Sequence, residues 1–280
     1  MKNLNNKVAA VTGAGSGIGQ ALAINLAEKG CHLALSDIDK NGLTETVKLL
    51  KPYKIKVTQQ TLDVSDKKAV YGWADQVVED HGQVNLIFNN AGVALSGTVD
   101  SLSLEDYEWV MNINFWGVVY GTKAFLPYLE KSGEGHVVNI SSVFGLTSQP
   151  LMSGYNASKF AVRGFTESLR QDLEISNSNV STTCIHPGGI KTNIAKCARM
   201  NSSVEKVTGT TQEKSRAEFE RMFVHTADSA AKTILKGVCK NERRVLIGLD
   251  AKLFDGVVRV FPTGYQWLFT KVAKWRKKSA

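Results

Sequence analysis

The stretch Thr12-Gly13-Ala14-Gly15-Ser16-Gly17-Ile18-Gly19 decides the fold, because it joins an apolar, strand-like run to a segment of helical periodicity. Glycines at positions 13, 17 and 19 permit positive φ angles and let the backbone approach a bound pyrophosphate closely. The helix that follows presents free N–H groups and a dipole that favour an anion. The turn therefore predicts a phosphate-binding loop, although a tight strand-to-helix connection without a ligand would use the same residues.

An acidic residue at the end of the second predicted strand indicates which dinucleotide would bind. Asp37 follows Gly19 by eighteen residues, and a carboxylate there can accept hydrogen bonds from both hydroxyls of an adenosine ribose while repelling a 2′-phosphate. No Arg or Lys lies between Thr12 and Ala27 to attract that phosphate. The sequence therefore predicts NAD(H) in preference to NADP(H). The alternative is that Asp37 caps the next helix, a role for which Asp39 is the better candidate.

Apolar β-rich runs alternate with segments of helical periodicity as far as residue 247. Strands are predicted at 8–12, 31–36, 55–62, 84–88, 136–141, 180–186 and 244–247. Helices are predicted at 18–29, 41–50, 67–80, 104–125 with an end near Pro127, 155–174 and 227–238. Seven strands separated by helices indicate a parallel sheet covered on both faces, which is a doubly wound, Rossmann-like α/β fold. We expect a single domain in residues 1–250, followed by an extension in residues 251–280.

Composition excludes several classes of protein. The chain has 280 residues, 43% of them hydrophobic, which is enough for a sizeable core. Its four cysteines form no CxxC pair and no metal-ligand spacing with the five histidines, which argues against a disulfide scaffold and against a metal site. The polar start of the chain and the lack of about 18 consecutive apolar residues predict neither a signal peptide nor a membrane-spanning helix. We therefore expect a cytoplasmic protein.

The net charge of +8 is concentrated in the extension, where seven Lys and Arg residues against one Asp give a charge of +6. The body is thus close to neutral, and we expect no nucleic-acid partner. Apolar residues repeat at helical spacing in the extension: Leu253, Phe254, Val257, Val258, Phe261, Tyr265, Leu268, Phe269, Val272 and Trp275. The extension either packs on the body or on a second subunit, or lies as a basic, aromatic-rich helix on an anionic membrane surface. The basic residues of its second half are Lys271, Lys274, Arg276, Lys277 and Lys278.

A tyrosine and a lysine four residues apart suggest the chemistry. Tyr155 and Lys159 share one face of a predicted helix, and Ser142 closes the fifth strand thirteen residues earlier. Strand ends of an open α/β sheet face the ligand crevice. Hydride transfer at a carbonyl carbon requires a proton to move at the oxygen, but a phenol has an ordinary pKa of about 10. A nearby ammonium and an oxidised nicotinamide would favour phenolate and lower that pKa, while a serine hydroxyl holds the substrate oxygen.

Taken together, these residues resemble the short-chain dehydrogenase/reductase family. The matching motifs follow the family's order and spacing over about residues 5–250: Thr12-Gly13-xxx-Gly17-Ile18-Gly19, Asn89-Asn90-Ala91-Gly92, Asn114, Ser142, Tyr155-xxx-Lys159 and Pro187-Gly188-xxx-Thr192. The resemblance implies an NAD(H)-dependent oxidoreductase that interconverts a secondary alcohol and a ketone. It also implies a homo-oligomer, either a dimer or a tetramer.

The resemblance further implies roles for individual residues. Tyr155 would be the general acid/base, Lys159 would hold the nicotinamide ribose and lower the pKa of the phenol, and Ser142 would orient the substrate oxygen, with Ser141 as its neighbouring alternative. The backbone carbonyl of Asn114 would anchor a relay water at a local break in the long helix. The implied cofactor contacts are Gly13, Ser16, Gly17, Ile18, Gly19 and Asp37, then Asp63 and Val64 at the adenine, Asn90, Ala91 and Gly92 near the ribose, and Pro187, Gly188 and Thr192 at the nicotinamide.

The loops expected near the nicotinamide are mainly apolar, which predicts a medium or large, mostly apolar substrate. The substrate contacts named from this pattern are Ser142, Phe144, Gln149, Leu151 and Met152, with Val93, Ala94, Leu95, Val143 and Leu146 in the same loops. Residues 193–223 are polar and charged, and they fall where family members place a mobile lid. An amphipathic helix is expected there at 213–223.

Other interpretations of the sequence remain open at this stage. The chain could be a dinucleotide-binding sensor or scaffold without turnover, or an NADPH-dependent carbonyl reductase. Asn89 is interpreted as structural, and His186 as a strand-end residue and not as a catalyst. His136 and His225 are interpreted as surface or capping residues.

Overall fold

The computed structural model describes residues 1–221 and 223–279, and it describes their side chains except those of 218–220 and 275–279. The strands are β1 (Val8–Thr12), β2 (His32–Asp37), β3 (Val57–Thr61), β4 (Leu86–Asn89), β5 (Leu95–Ser96), β6 (Gly135–Ile140), β7 (Val180–Pro187), β8 (Ile190–Lys191), β9 (Arg199–Met200), β10 (His225–Thr226) and β11 (Arg244–Ile247). The helices are α1 (Gly17–Ala27), α2 (Lys40–Leu50), α3 (Lys67–His81), α4 (Leu104–Met111), α5 (Gly117–Lys131), α6 (Ser153–Ile175), α7 (Ser203–Thr208), α8 (Gln212–Arg221), α9 (Ala227–Cys239), α10 (Leu249–Val260) and α11 (Gly264–Ser279).

In the described part of the chain, a seven-stranded sheet has the order β11-β7-β6-β4-β1-β2-β3, and every neighbouring pair in it is parallel. The predicted doubly wound, Rossmann-like fold is therefore confirmed. The interior strand β1 pairs with β2 on one side and β4 on the other, with Val11 in register with Leu35 and Phe88. The chain changes direction across the sheet at this point, which opens a crevice at the carboxyl ends of the strands.

Successive residues of β1 contribute to opposite sides of the sheet, because side chains alternate along a strand. Val8 and Ala10 belong to one hydrophobic cluster, which contains Trp73 of α3. Ala9 and Val11 belong to the other, together with residues of α1 and α9. Both faces are covered, so all five residues of β1 are buried, as expected for a parallel strand between two layers of helices.

The long helix before β6 differs from the prediction at its end. It continues through α5 to Lys131 with Pro127 inside it, instead of stopping near Pro127. Proline removes one helical N–H donor, but this loss falls in the last turns, where the fully buried Leu129 still packs against the sheet. The predicted local break is confirmed, because residues Asn112–Trp116 form a π-helical turn between α4 and α5.

One histidine prediction was wrong. His136 in β6 is fully buried, with its Nε2 2.8 Å from the Thr183 hydroxyl, and burial lowers its pKa to about 3. The interpretation of His136 as a surface or capping residue failed because its strand lies in the middle of the sheet. His225 lies near the surface, with its Nε2 3.6 Å from a carboxylate oxygen of Asp250.

Two segments lie over the carboxyl edge of the sheet. Within the predicted lid, α7 and α8 are helical, and Met222, which belongs to the helix expected at 213–223, lies outside the described residues. The extension forms α10 and α11, separated at Phe261–Thr263 where a proline interrupts the helix. The sequence analysis assigned four further side chains to the apolar stripe and the basic set of the extension. They lie outside the described side chains: Trp275, Arg276, Lys277 and Lys278. Of the helices described, none has the length and apolar character needed to cross a membrane.

The extension packs on the body through aromatic side chains. Tyr265 is buried, and its hydroxyl accepts a hydrogen bond from the Ser148 N–H at 3.3 Å. The Phe269 ring meets the Tyr265 ring edge-on at 5.5 Å between centroids and the Phe254 ring at 5.7 Å. The contact between Phe254 and Phe269 joins α10 to α11. One side of the extension therefore belongs to the folded body.

Candidate active site

A cleft of about 1840 Å³ runs along the carboxyl ends of the sheet strands and continues under the extension. Most of the predicted site residues line it: Gly13, Ser16, Gly17, Ile18, Asp37, Asp63, Val64, Asn90, Ala91, Gly92, Ser142, Phe144, Gln149, Leu151, Met152, Tyr155, Lys159, Pro187, Gly188 and Thr192. The predicted site residues Gly19 and Asn114 do not line the cleft themselves. Among the residues that the structure describes, no group of three His, Cys, Asp or Glu side chains is placed to hold a metal ion.

The glycine-rich turn after β1 forms a cradle that side chains would fill. Gly13 has a φ of +64°, and a Cβ there would lie 2.9 Å from the Ala91 Cα. Gly17 has a φ of +54°, and a Cβ there would lie 3.0 Å from the Thr192 side chain. A Cβ on Gly19 would collide with the Gly13 carbonyl. These residues fit a dinucleotide pyrophosphate. The glycines place no side chain over the backbone where α1 begins, so the first N–H groups of α1 are accessible to a phosphate.

Asp37 is held at the far end of the same cleft. Its carboxylate accepts hydrogen bonds from the Gly15 N–H at 2.7 Å and from the Asp39 N–H at 2.9 Å. Asp39, and not Asp37, caps α2 by accepting from the Asn41 N–H at 3.0 Å. The bonds to Gly15 and Asp39 fix the Asp37 carboxylate next to the glycine turn, which is where an adenosine ribose would extend from the cradle.

The loop after β4 is tied to the glycine turn through Thr12. The Thr12 hydroxyl accepts hydrogen bonds from the Asn90 and Ala91 N–H groups at 2.9 and 3.0 Å. The Asn90 side chain donates to the carbonyls of Thr12 and Gly13. Asn89 instead donates to Thr122 and Asn139 inside the core, so its structural interpretation is confirmed. Asn90 thus lines the cleft while it supports the turn.

Three predicted catalytic side chains meet midway along the cleft. Tyr155 and Lys159 lie one turn apart on α6, with the Lys159 Nζ 5.7 Å from the centre of the Tyr155 ring and donating to the Ile140 carbonyl at 3.1 Å. Ser142 begins a short 3₁₀ turn, where its hydroxyl accepts from the Phe144 N–H at 3.1 Å. The Ser141 hydroxyl is engaged elsewhere, because it donates to the Lys159 carbonyl at 2.8 Å.

Burial is the largest influence on the pKa values of Tyr155 and Lys159. Both side chains are buried, and burial raises the pKa of Tyr155 to about 12, while a hydrogen bond with the Ser142 side chain acts in the opposite direction. Burial also lowers the pKa of Lys159 to about 8. The expected lowering of the phenol pKa by its ammonium neighbour is therefore not found in the chain by itself. Without a bound positive charge, the site keeps the phenol protonated.

Asn114 connects the loop after β4 to α6. In the π-helical turn, its side-chain oxygen accepts from the Val93 N–H at 2.8 Å, and its amide donates to the Val93 carbonyl at 2.9 Å and to the Ser158 hydroxyl at 3.0 Å. Gly92 leaves room beside this network, since a Cβ there would lie 3.2 Å from the Asn114 Oδ1 and 3.3 Å from the Lys159 Nζ. The water relay anchored by the Asn114 carbonyl stays a prediction.

The substrate end of the cleft is mostly apolar. The Phe144 ring meets the Tyr155 ring edge-on at 6.0 Å. Leu151 has a φ of +64°, a strained conformation for a branched residue, in the loop that precedes α6. Of the other predicted loop residues, Leu95 and Leu146 are buried behind the wall and do not line the cleft. Their loops were identified correctly, but the direction of each side chain depends on packing.

Sequence reasoning missed the far wall of the cleft. Side chains of both C-terminal helices and of α7 form it, namely Phe254, Leu268, Phe269, Val272, Val204 and Val207. The helical spacing of apolar residues in the extension was visible, and it could have suggested a second apolar wall. Which part of the body this stripe would cover could not be predicted from spacing, because the contact joins segments far apart in sequence.

Comparison with known proteins agrees with this geometry. A family model described as short chain dehydrogenase matches residues 7–203. SadH of Mycobacterium tuberculosis, a protein named as an oxidoreductase, is 48% identical over 270 residues, which are 96% of this chain and 95% of SadH. Dehydrogenase/reductase SDR family member 7B of Xenopus laevis is 33% identical over 283 residues, 99% of this chain and 84% of the relative.

A solved structure shows the same architecture. The crystal structure of a short chain dehydrogenase/reductase from Burkholderia phymatum in complex with NAD superposes with a TM-score of 0.80 at 33% sequence identity, over 88% of this chain and 90% of that one. The sheet order, the glycine-rich turn, the buried tyrosine and lysine on α6 and these relatives lead to one conclusion. The chain belongs to the short-chain dehydrogenase/reductase family of oxidoreductases.

Proposed function

We propose that this protein is an NAD(H)-dependent oxidoreductase that interconverts a secondary alcohol and a ketone on a mostly apolar substrate, with Tyr155 as the acid/base. The observation that carries this proposal is the meeting of Tyr155, Ser142 and Lys159 in the middle of one cleft whose far end holds Asp37. The NAD in the related Burkholderia phymatum structure supports the choice of cofactor. The carboxylate of Asp37 supports NAD(H) over NADP(H), because it would repel a 2′-phosphate.

In the proposed reaction, each side chain around the cleft has a separate role. When bound, NAD⁺ supplies the hydride acceptor and a positively charged ring. The Ser142 hydroxyl holds the substrate oxygen. The Tyr155 oxygen, as phenolate, takes the proton of the alcohol, and in the opposite direction the protonated phenol returns it to the ketone oxygen. Lys159 would hold the nicotinamide ribose, and its ammonium lies beside the phenol ring. Thr192, which lies next to Gly17, holds the nicotinamide end, and Asn114 keeps the loop at Val93 in place.

The same proposal assigns the parts of the chain. Residues 1–250 form the catalytic domain, residues 193–223 act as a lid, and residues 251–280 extend the substrate side of the cleft. The volume and apolar lining of the cleft support a medium or large substrate, because ligand pockets commonly measure about 300–1,000 Å³. The pocket described here also includes the cofactor region, so part of its volume belongs to the dinucleotide.

The proposal includes a cytoplasmic location and a homo-oligomer. Trp116 in the π-helical turn is 43% exposed, and the Phe160 ring on α6 is also exposed. A Cβ added to Gly164, one turn after Phe160, would meet no atom of the described residues within 4 Å beyond its own helix turn, so another subunit could approach α6 closely there. An exposed aromatic surface of this kind favours self-association. Light scattering coupled to size exclusion would measure the mass of the particle, and a monomer would contradict this part of the proposal.

The reaction is tested by incubating the protein with a panel of secondary alcohols and NAD or NADP, and following the absorbance of the reduced nicotinamide. We expect turnover of apolar secondary alcohols with NAD in preference to NADP. NADH binding without turnover of any alcohol or ketone would favour the sensor or scaffold alternative. Preferential use of NADPH with ketones would favour the carbonyl reductase alternative.

A further inference from the structure

The helices α10 and α11, named here the C-terminal pair, carry apolar side chains on two sides. The inner side packs on the body through Tyr265 and Phe269 and lines the cleft. On the outer side, Leu253 and Val260 lie seven residues apart, a spacing that places them on the same side of α10, and they are 65% and 69% exposed. Trp267 on α11 is 66% exposed. Leu253, Val260, Phe261 and Trp267 are called the outer face below.

The charges around the outer face are predominantly positive. Lys252 precedes Leu253, and Lys271 is exposed on α11 with its Nζ 4.7 Å from the centre of the Trp267 ring, while the exposed Lys274 lines the cleft. A tryptophan that projects among lysines has an apolar body and a polar edge, which suits the boundary between water and lipid. The sequence of the extension carries three further cations, at positions 276–278.

The acidic residues of α10 do not offset this charge. Asp255 is paired with both Arg244 of β11 at 3.2 Å and Arg259 at 2.9 Å. Asp250 accepts a hydrogen bond from the Gly189 N–H at 2.6 Å, so it is directed to the body. Both carboxylates are thus engaged by the protein. The outer face presents apolar side chains and lysines to its surroundings.

We propose that the outer face docks on a lipid bilayer that contains anionic headgroups. An amphipathic surface with tryptophan, leucine and lysines gains from the burial of its apolar side chains near the headgroups and from attraction to anionic lipid. A second copy of the chain fits less well, because a two-fold contact through this surface would bring its lysines close to those of the partner. The charge pattern therefore selects the bilayer as the occupant.

Docking of this kind would place the lipid beside the substrate end of the cleft. Leu268 and Val272 lie on α11 with Trp267, and both line the cleft. If the proposed reaction on an apolar alcohol is correct, such a substrate could enter from the bilayer without crossing water. The docking itself does not depend on the reaction, and its test measures binding alone.

The test is sedimentation of the full-length protein with vesicles of phosphatidylcholine, either pure or with about 30% phosphatidylserine. We expect the wild type to sediment with the anionic vesicles, and about 0.5 M NaCl to reduce this binding by shortening the range of charge attraction. Leu253→Asp and Trp267→Ala should each reduce the bound fraction at least about threefold. Leu49→Asp is the matched control, because Leu49 is a half-exposed leucine on α2, outside the C-terminal pair.

Several results would overturn the proposal. One is a wild type that does not bind anionic vesicles; another is Leu253→Asp and Trp267→Ala binding as well as Leu49→Asp does. A third is a Leu253→Asp variant that loses oligomer mass in light scattering while vesicle binding is absent in the wild type, which would identify a second copy as the occupant. Circular dichroism of each variant establishes that it is folded, and Trp267→Ala, which only shortens an exposed side chain, remains informative if Leu253→Asp does not fold.

Discussion

The ammonium of Lys159 lies 5.7 Å from the centre of the Tyr155 ring, and both groups are buried within the same cleft. Burial acts on them in opposite directions, raising the pKa of the phenol to about 12 and lowering that of the ammonium to about 8. Each shift favours the neutral form of its group, because charge is costly in a buried site. Under the proposed function, the phenol of the chain alone would be ready to donate a proton, and the positive charge of an oxidised nicotinamide would favour its acceptance of one.

Replacing Tyr155 with phenylalanine removes the phenol oxygen and leaves the ring that packs against Phe144. We expect the variant to lose turnover by about 10²–10⁴-fold, the usual contribution of a positioned acid/base. NADH binding, followed by fluorescence titration, should stay within about twofold of the wild type, since the phenol oxygen does not form the cradle. Substantial turnover in Tyr155→Phe would remove the phenol from the proposed mechanism.

Asp37→Ala should relax the discrimination against NADP. Without the carboxylate, a 2′-phosphate meets less repulsion, and the NAD ribose loses its acceptor. The ratio of kcat/KM for NAD over NADP should fall at least about tenfold, equivalent to about 1.4 kcal/mol.

Asp39→Ala serves as the control for this change. It removes the cap of α2 and should cost about 1 kcal/mol of stability, while the cofactor ratio stays as in the wild type. A ratio that changes equally in both variants would show that the geometry of the loop, and not the Asp37 charge, sets the preference.

The buried ammonium of Lys159 makes the free energy of unfolding depend on pH. Its pKa is about 8 in the folded chain and has an ordinary value of 10.5, so between these values the unfolded chain binds more protons. Stability therefore rises with pH across this window. Lys159→Met lacks this contribution, and urea unfolding at several pH values without cofactor should show the wild type gaining stability relative to the variant from about pH 8 towards pH 10. A difference between the two proteins that is independent of pH would contradict the burial of the ammonium.

The far wall of the cleft predicts a limit on substrate length. Each additional buried methylene contributes about 0.8 kcal/mol, so kcat/KM for a series of 2-alkanols should rise with chain length until the alkyl chain meets α11. Leu268→Trp enlarges the α11 wall of the substrate end and should stop this rise at a shorter alcohol. The longest alcohols should lose at least about tenfold in kcat/KM, while the shortest change little.

Gln266→Trp adds the same side chain two residues earlier, at an exposed position that does not line the cleft. It should leave the dependence on chain length as in the wild type. If both tryptophan variants shorten the accepted chain equally, the effect belongs to the stability of the extension and not to the wall. If neither does so, α11 does not limit the substrate.

The sequence predicted the order of strands and helices. It also predicted most of the residues that line the cofactor end of the cleft, because the features that place them depend on residues close together in sequence. Positive φ at Gly13 and Gly17 is a property of single residues, and the shared face of Tyr155 and Lys159 follows from the helical repeat. The cap by Asp39 was likewise predicted from its immediate neighbours, whereas the break at residues 112–116 was expected only from the family resemblance. The end of the helix at Lys131 was missed, because a buried leucine outweighs the local effect of Pro127.

Tertiary structure alone decided what the extension covers and how burial shifts the pKa of the Tyr155 phenol. Ser148 and Tyr265 are 117 positions apart, and their hydrogen bond closes the extension over the cleft. The burial of His136 depends on the neighbouring strands, and the pKa of Tyr155 depends on everything packed around it. Sequence spacing determines which side chains share a face, whereas solvent exclusion is a property of the assembled layers. For that reason most of the residues that line the cleft could be named from the sequence, and their electrostatics could not.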